Sequence, residues 1–153
     1  MKELSFVSEI IKKQKFVIFT LIFSLIIFSV ITTVFSIDKK TNRIITEYIS
    51  SFGWRIEESP AEISHIAIPA EFDNVYKVYN SIQERSGFNL KAYHGKTVTR
   101  YTYRVLNHKY SKDSTVLAGV LFYKNKIIAA DISSGGKHSF IHEIENTSEK
   151  LTE

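Results

Sequence analysis

The longest uninterrupted pattern in the chain is apolar. From Phe16 to Ile37 the sequence FVIFTLIFSLIIFSVITTVFSI carries no charge, no Pro and no Gly. As a helix rising about 1.5 Å per residue, the run is roughly 33 Å long, enough to cross a hydrocarbon core of about 30 Å. Its polar positions are hydroxyls (Thr20, Ser24, Ser29, Thr32, Thr33 and Ser36), which bond back to helix carbonyls and are tolerated in lipid. The pattern predicts one transmembrane helix over 16–37. A cleaved signal peptide fits less well. Signal h-regions are shorter and end at a small-residue site, for which only Val34-Phe35-Ser36 offers itself.

Beyond the run the periodicity becomes that of a small folded domain. Ile44, Ile45, Tyr48, Ile49 and Phe52 recur at helical spacing, which predicts a helix over Thr41–Phe52 ended by Gly53. Trp54–Glu57 alternates and reads as a short strand, and Glu62–Ile68 as a second, stopped by Pro69. Phe72, Val75, Tyr76, Tyr79 and Ile82 make an amphipathic stripe, hence a helix opening at Pro69-Ala70-Glu71 and closing at Gly87. Thr97–Asn107, Val116–Lys124 and Ile127–Ile132 read as three strands of a meander, with a tight turn at Lys124-Asn125-Lys126. His138–Ile144 fits a short strand or a helical turn. The order predicts an α+β fold: two helices packed on one face of an antiparallel sheet of about five strands. The chain then divides into a leader at 1–15, the span at 16–37, the α+β domain at 38–145 and a disordered tail at 146–153.

Charge places these parts. Lys2, Lys12, Lys13 and Lys15 precede the span, and Lys39, Lys40 and Arg43 follow it. The bias is small, but three of the leading lysines crowd the membrane edge. The expected topology is a cytoplasmic N-terminus with residues 38–153 outside, and the inverted topology is the alternative. The 153 residues carry a formal net charge of +4 and no Cys, so disulfides and thiolate metal sites are excluded. The outer domain is electrically polarised. Glu57, Glu58, Glu62, Glu71 and Asp73 form an acidic block, and Lys91, Lys96, Arg100, Arg104, Lys109, Lys112, Lys124 and Lys126 follow, opposed only by Asp113.

Candidate chemistry is sparse. His138 and His142 stand four apart and on a helix would share a metal, but no third ligand lies nearby in sequence and the motif is not that of a zinc protease. Ser133-Ser134-Gly135-Gly136-Lys137 lacks both ends of a phosphate-binding loop. Asp131 follows an apolar strand; buried, it would hold a raised pKa fit for proton transfer, or cap the next loop. Strand Thr97–Asn107 says more. If Tyr101 and Tyr103 face the helices, Arg100 and Arg104 face outward, and Lys96, Lys124 and Lys126 extend a basic face. The alternative for these arginines is pairing with Glu57, Glu58 or Glu62.

Gly53-Trp54, Ile68-Pro69, Phe72-x-x-Val75-Tyr76-x-x-Tyr79-Asn80, Gly87-Phe88, Tyr93-x-Gly95-Lys96, Arg100-Tyr101-Thr102-Tyr103, Asp131-Ile132 and Phe140-Ile141-His142 together resemble domain-of-unknown-function family 4830. Ala129-Ala130 departs from the pattern, which has glycines before Asp131. The resemblance implies an extracytoplasmic domain of Gram-positive bacteria behind a single anchor or signal, and no activity.

The expected function is a non-enzymatic binding domain on a single-pass anchor. Its basic face (Lys96, Arg100, Arg104, Lys124 and Lys126) would dock an envelope protein, an anionic polymer or lipid headgroups, without cofactor or nucleic acid. Two alternatives come from other classes. One is a small envelope hydrolase or metal-dependent enzyme using Asp131, His138 and His142. The other is a structural subunit whose hydroxyl stripe packs on a second membrane helix.

Overall fold

The computed structural model describes residues 18–25 and 39–145, and the chain divides into two compact units, Met1–Lys40 and Thr41–Glu153. In the first unit residues 18–25 are helical with exposed side chains, and Phe19 stacks on Phe23 at 6.4 Å between ring centroids. Among the described residues no helix is long and apolar enough to cross a membrane. The rest of the expected 16–37 span, the 1–15 leader and the 146–153 tail lie outside the described residues.

The second unit is α+β. Helix α1 (39–51), most of which lies in it, precedes strand β1 (Glu62–Ala67), helix α2 (Asn74–Arg85), and strands β2 (Thr97–Arg104), β3 (Val116–Tyr123), β4 (Lys126–Ser134) and β5 (Phe140–Glu143). The strands form one antiparallel sheet whose spatial order is the chain order. Local chemistry fixes the corners. Lys124 and Asn125 both hold positive φ (45° and 62°), the two-residue hairpin geometry whose twist matches that of the strands. Gly87, at φ 76°, ends α2, with Phe88 N–H donating to the Gln83 carbonyl.

The helices do not share a face, contrary to the sequence-based expectation. Side chains alternate across a strand. Tyr101, Tyr103, Val120, Phe122, Ala130 and Ile132 bury one side of the sheet with Ile45 and Ile49 of α1 and with Trp54. Val98, Leu121 and Ala129 face the other way and build a second core with Ile68, Leu90, Phe72 and Tyr79 on the α2 side. The cause lies in β3 and β4. Most of their residues are apolar and buried, so neither face can be left to water.

Two further expectations change. The strand expected at Trp54–Glu57 is reduced to one bridge, Ile56 with Val105, because Trp54 turns into the core and its Nε1–H donates to the Ile144 carbonyl at 2.7 Å. Helix α2 begins at Asn74 rather than at Pro69. Asp73 is its N-cap, and the carboxylate accepts the Tyr76 N–H at 2.8 Å.

Each helix is also held by a polar tie. Tyr103 donates its hydroxyl proton to Asn42 Oδ1 on α1 (2.7 Å). The β4–β5 ladder ends at the Asp131–Glu143 pair, and the next amide, Ala130 N–H, donates to Gln83 Oε1 on α2 at 2.9 Å.

Replacing Trp54 by Phe leaves the buried Ile144 carbonyl without that donor. The expected loss of unfolding free energy, read by urea denaturation, is about 1–3 kcal/mol; an unchanged midpoint would show that the bond contributes nothing.

Candidate functional site

On the α2 side of the sheet, one cross-strand row runs Thr102, Gly119, Asp131, Glu143, and the adjacent row runs Arg100, Leu121, Ala129. Thr102, Asp131, Glu143 and Arg100 are polar residues set into a face that is otherwise core. Helix α2 covers it incompletely. Ile82 is buried beneath the helix, but Val75 and Val78 are 73% and 62% exposed. The flank they occupy does not close on the sheet. A groove of about 650 Å³ runs there, its apolar wall made by Ile66, Val75, Val78, Ile82, Leu121 and Ile141. Arg100, Asn74, Tyr76 and Tyr79 supply its polar groups.

Gly119 explains how a guanidinium fits into this face. A β-carbon at Gly119 would stand 2.9 Å from Arg100 Nη2, 3.3 Å from Arg100 Nε and 3.2 Å from Asp131 Oδ2. The missing side chain is the space that Arg100 and Asp131 use. Asp131 itself is 1% exposed. Its Oδ1 accepts the Tyr79 hydroxyl proton at 2.7 Å. Asp131 Oδ2 and Arg100 Nε have no hydrogen-bond partner among the described residues. Burial pushes the Asp131 carboxyl above its ordinary range, opposed by the Tyr79 hydrogen bond, the Arg100 charge, Ser133 and His142. Burial and the neighbouring Asp131 push Tyr79 well above the usual phenol value, so its hydroxyl stays protonated and donating.

The five basic residues expected to form one face are spread over three places. Arg100 lines the groove. Arg104, four residues along β2, is exposed and ion-paired with Glu57 at 3.4 Å, the pairing considered as its alternative. Lys96, Lys124 and Lys126 are exposed where β2 begins and the β3–β4 hairpin turns, and Lys124 Nζ lies 5.4 Å from the Tyr123 ring centroid. Asp131, His138 and His142 are not brought together. In the β4–β5 ladder Asp131 pairs with Glu143 and His142 with Ile132, so Asp131 and His142 point to opposite faces. His142 lies among Trp54, His108 and Phe140, and His138 stacks on Tyr110 at 4.3 Å between centroids. Among the described residues no three His, Cys, Asp or Glu are placed to hold a metal ion.

Sequence reasoning passed over Tyr79 and Gly119. Tyr79 was absorbed into the apolar stripe of α2. Gly119 carried a readable signal, since a glycine inside an apolar strand often marks a close approach.

A family model described as Domain of unknown function (DUF4830) matches residues 48–132, a stretch that contains Tyr79, Arg100, Gly119 and Asp131. No curated protein and no solved structure matches the chain.

Because the folded state favours neutral Asp131, this group contributes stability that is fully present below the ordinary carboxylate pKa. The contribution is lost as pH rises through the higher folded-state value. Unfolding free energies measured across this range should therefore fall with pH in the native chain and fall less in Asp131→Asn. Parallel profiles would refute the assignment.

Proposed function

We propose that this chain, which belongs to the DUF4830 family of domains of unknown function, is a tethered, non-catalytic binding domain that holds a small amphiphilic anion in the groove beside α2. One observation carries the reading: the Arg100 guanidinium lines a groove whose walls are otherwise mostly apolar. A volume of about 650 Å³ falls in the range of small-molecule sites, roughly 300–1,000 Å³. Charge complementarity selects an anion for Arg100, and the apolar walls select a hydrocarbon body. An extended peptide suits the groove less well. Its amides need partners, and the lining offers few polar groups, whereas an alkyl or acyl chain needs none.

The tether rests on the sequence: the uncharged run 16–37 supports a single-pass anchor, with Lys12, Lys13 and Lys15 at its inner edge and residues 38–153 outside. The role of the former basic face passes to Arg100 alone, since Arg104 is engaged by Glu57 and the three lysines stand at the turn end of the sheet. The hydrolase alternative finds no shared site, with Asp131 and His142 on opposite faces of the sheet.

Octane-1-sulfonate serves as the probe, added to the full chain in neutral phosphatidylcholine nanodiscs. Methyl spectra should show Ile66, Ile82 and Ile141 shifting in a saturable way. Arg100→Gln should weaken binding roughly ten- to a hundredfold, the range for losing a charged hydrogen bond of about 1.5–3 kcal/mol. Gly119→Ala, whose methyl would displace the guanidinium, should weaken it too. Equal binding by Arg100→Gln, or by octyltrimethylammonium, would overturn the reading.

A further inference from the structure

Asp131 does not line the groove, yet it lies directly behind the groove's cation. Its Oδ2 and two nitrogens of Arg100 all come within 3.3 Å of the position that a Gly119 β-carbon would take. The two charges are close enough to interact but do not close an ion pair: Asp131 Oδ2 and Arg100 Nε are both without a hydrogen-bond partner among the described residues. Arg100 therefore has one side toward the groove and one toward a buried carboxylate. An anion arriving from the groove competes with Asp131 for the same positive charge.

We infer that anion binding in the groove is coupled to the uptake of one proton by Asp131; this rests on the reading of the groove as an anion site. Two buried negative groups flanking one guanidinium are costly at low local dielectric. The cost is removed when Asp131 takes a proton from solvent onto Oδ2, the oxygen that Tyr79 does not occupy. Oδ1 keeps the Tyr79 hydrogen bond, so α2 stays tied to the sheet through the change. No other group is moved, and one proton is consumed for each anion bound.

The groups around Asp131 set the range in which this happens. Tyr79 faces it from α2, Arg100 from β2 and Ser133 from its own strand. From β5 come Glu143, its ladder partner, which is ion-paired with Arg85 of α2, and the weaker field of His142, whose ring lies on the opposite face. Burial already moves Asp131 toward the neutral acid in the free protein, and the negative charge of a bound anion moves it further in the same direction. Affinity then falls as pH rises through the interval between the free and bound values of Asp131, and levels off on either side.

The test again uses octane-1-sulfonate with the full chain in neutral nanodiscs, because a sulfonate stays ionised and contributes no proton of its own. Apparent Kd is followed from about pH 4 to about pH 8. In the native chain it should rise with pH, approaching tenfold per unit at the steepest point, the limit for one linked proton. In Asp131→Asn the dependence should be flat. Tyr79→Phe, which removes a hydrogen bond that favours the carboxylate, should move the sloping interval to higher pH. Calorimetry of the native chain in two amine buffers of different ionisation enthalpy that titrate within the interval counts the protons directly and does not depend on any variant folding; close to one proton should be taken up within the interval. A flat native profile, no proton uptake at any pH, or an unchanged slope in Asp131→Asn would overturn the coupling while leaving the anion site standing. A native chain that fails to bind the sulfonate at every pH would remove both.

Discussion

Burying β3 and β4 on both faces is the constraint from which the rest of the domain follows. These strands carry few residues that tolerate water, so each face of the sheet must be covered. Helix α1, with Ile45, Ile49 and the neighbouring Trp54, closes one face. Helix α2 covers the other only in part, and the polar row Thr102, Gly119, Asp131, Glu143 lies on that side. The two faces therefore differ in kind: one is a continuous apolar core, and the other is a core with charges set into it.

That difference has an energetic side. A carboxylate 1% exposed to solvent is destabilising unless its neighbours offset the lost hydration. Here one oxygen has the Tyr79 hydroxyl, and the charge has Arg100 across Gly119. Removing Asp131 alone would leave the Arg100 guanidinium without the negative charge behind it. Asp131 stands behind the cation of an open groove, across the space left by Gly119.

Much of the architecture was legible. Helix α2, its glycine stop at Gly87, the turn at Lys124-Asn125 and the strands expected at Val116–Lys124 and Ile127–Ile132 all follow from period and turn chemistry, whereas Val75 of the expected stripe is exposed and β4 runs on to Ser134. What was not legible depends on pairing. Alternation puts Arg100 and Arg104 on one face of β2, but it does not say that the groove beside α2 takes in Arg100 while Arg104 meets Glu57. Asp131 and His142 look like partners in a list of polar residues. The Asp131–Glu143 register, which no local signal specifies, puts them on opposite sides. The two-sided use of the sheet is implicit in the apolar run Val116–Lys124, since a central strand of that composition needs cover on both faces.

The bond from Ala130 N–H to Gln83 Oε1 joins residues 47 apart in sequence. The β3–β4 hairpin, closed by two residues, is a local and rapidly formed unit. Gln83 finds its donor only once β4 is in place, so docking of α2 is expected to fall late in folding, and by the same logic its release is expected to be an early step of partial opening. An occupant bridging Val75 and Val78 to Ile66 and Ile141 would act as a clasp between α2 and the sheet.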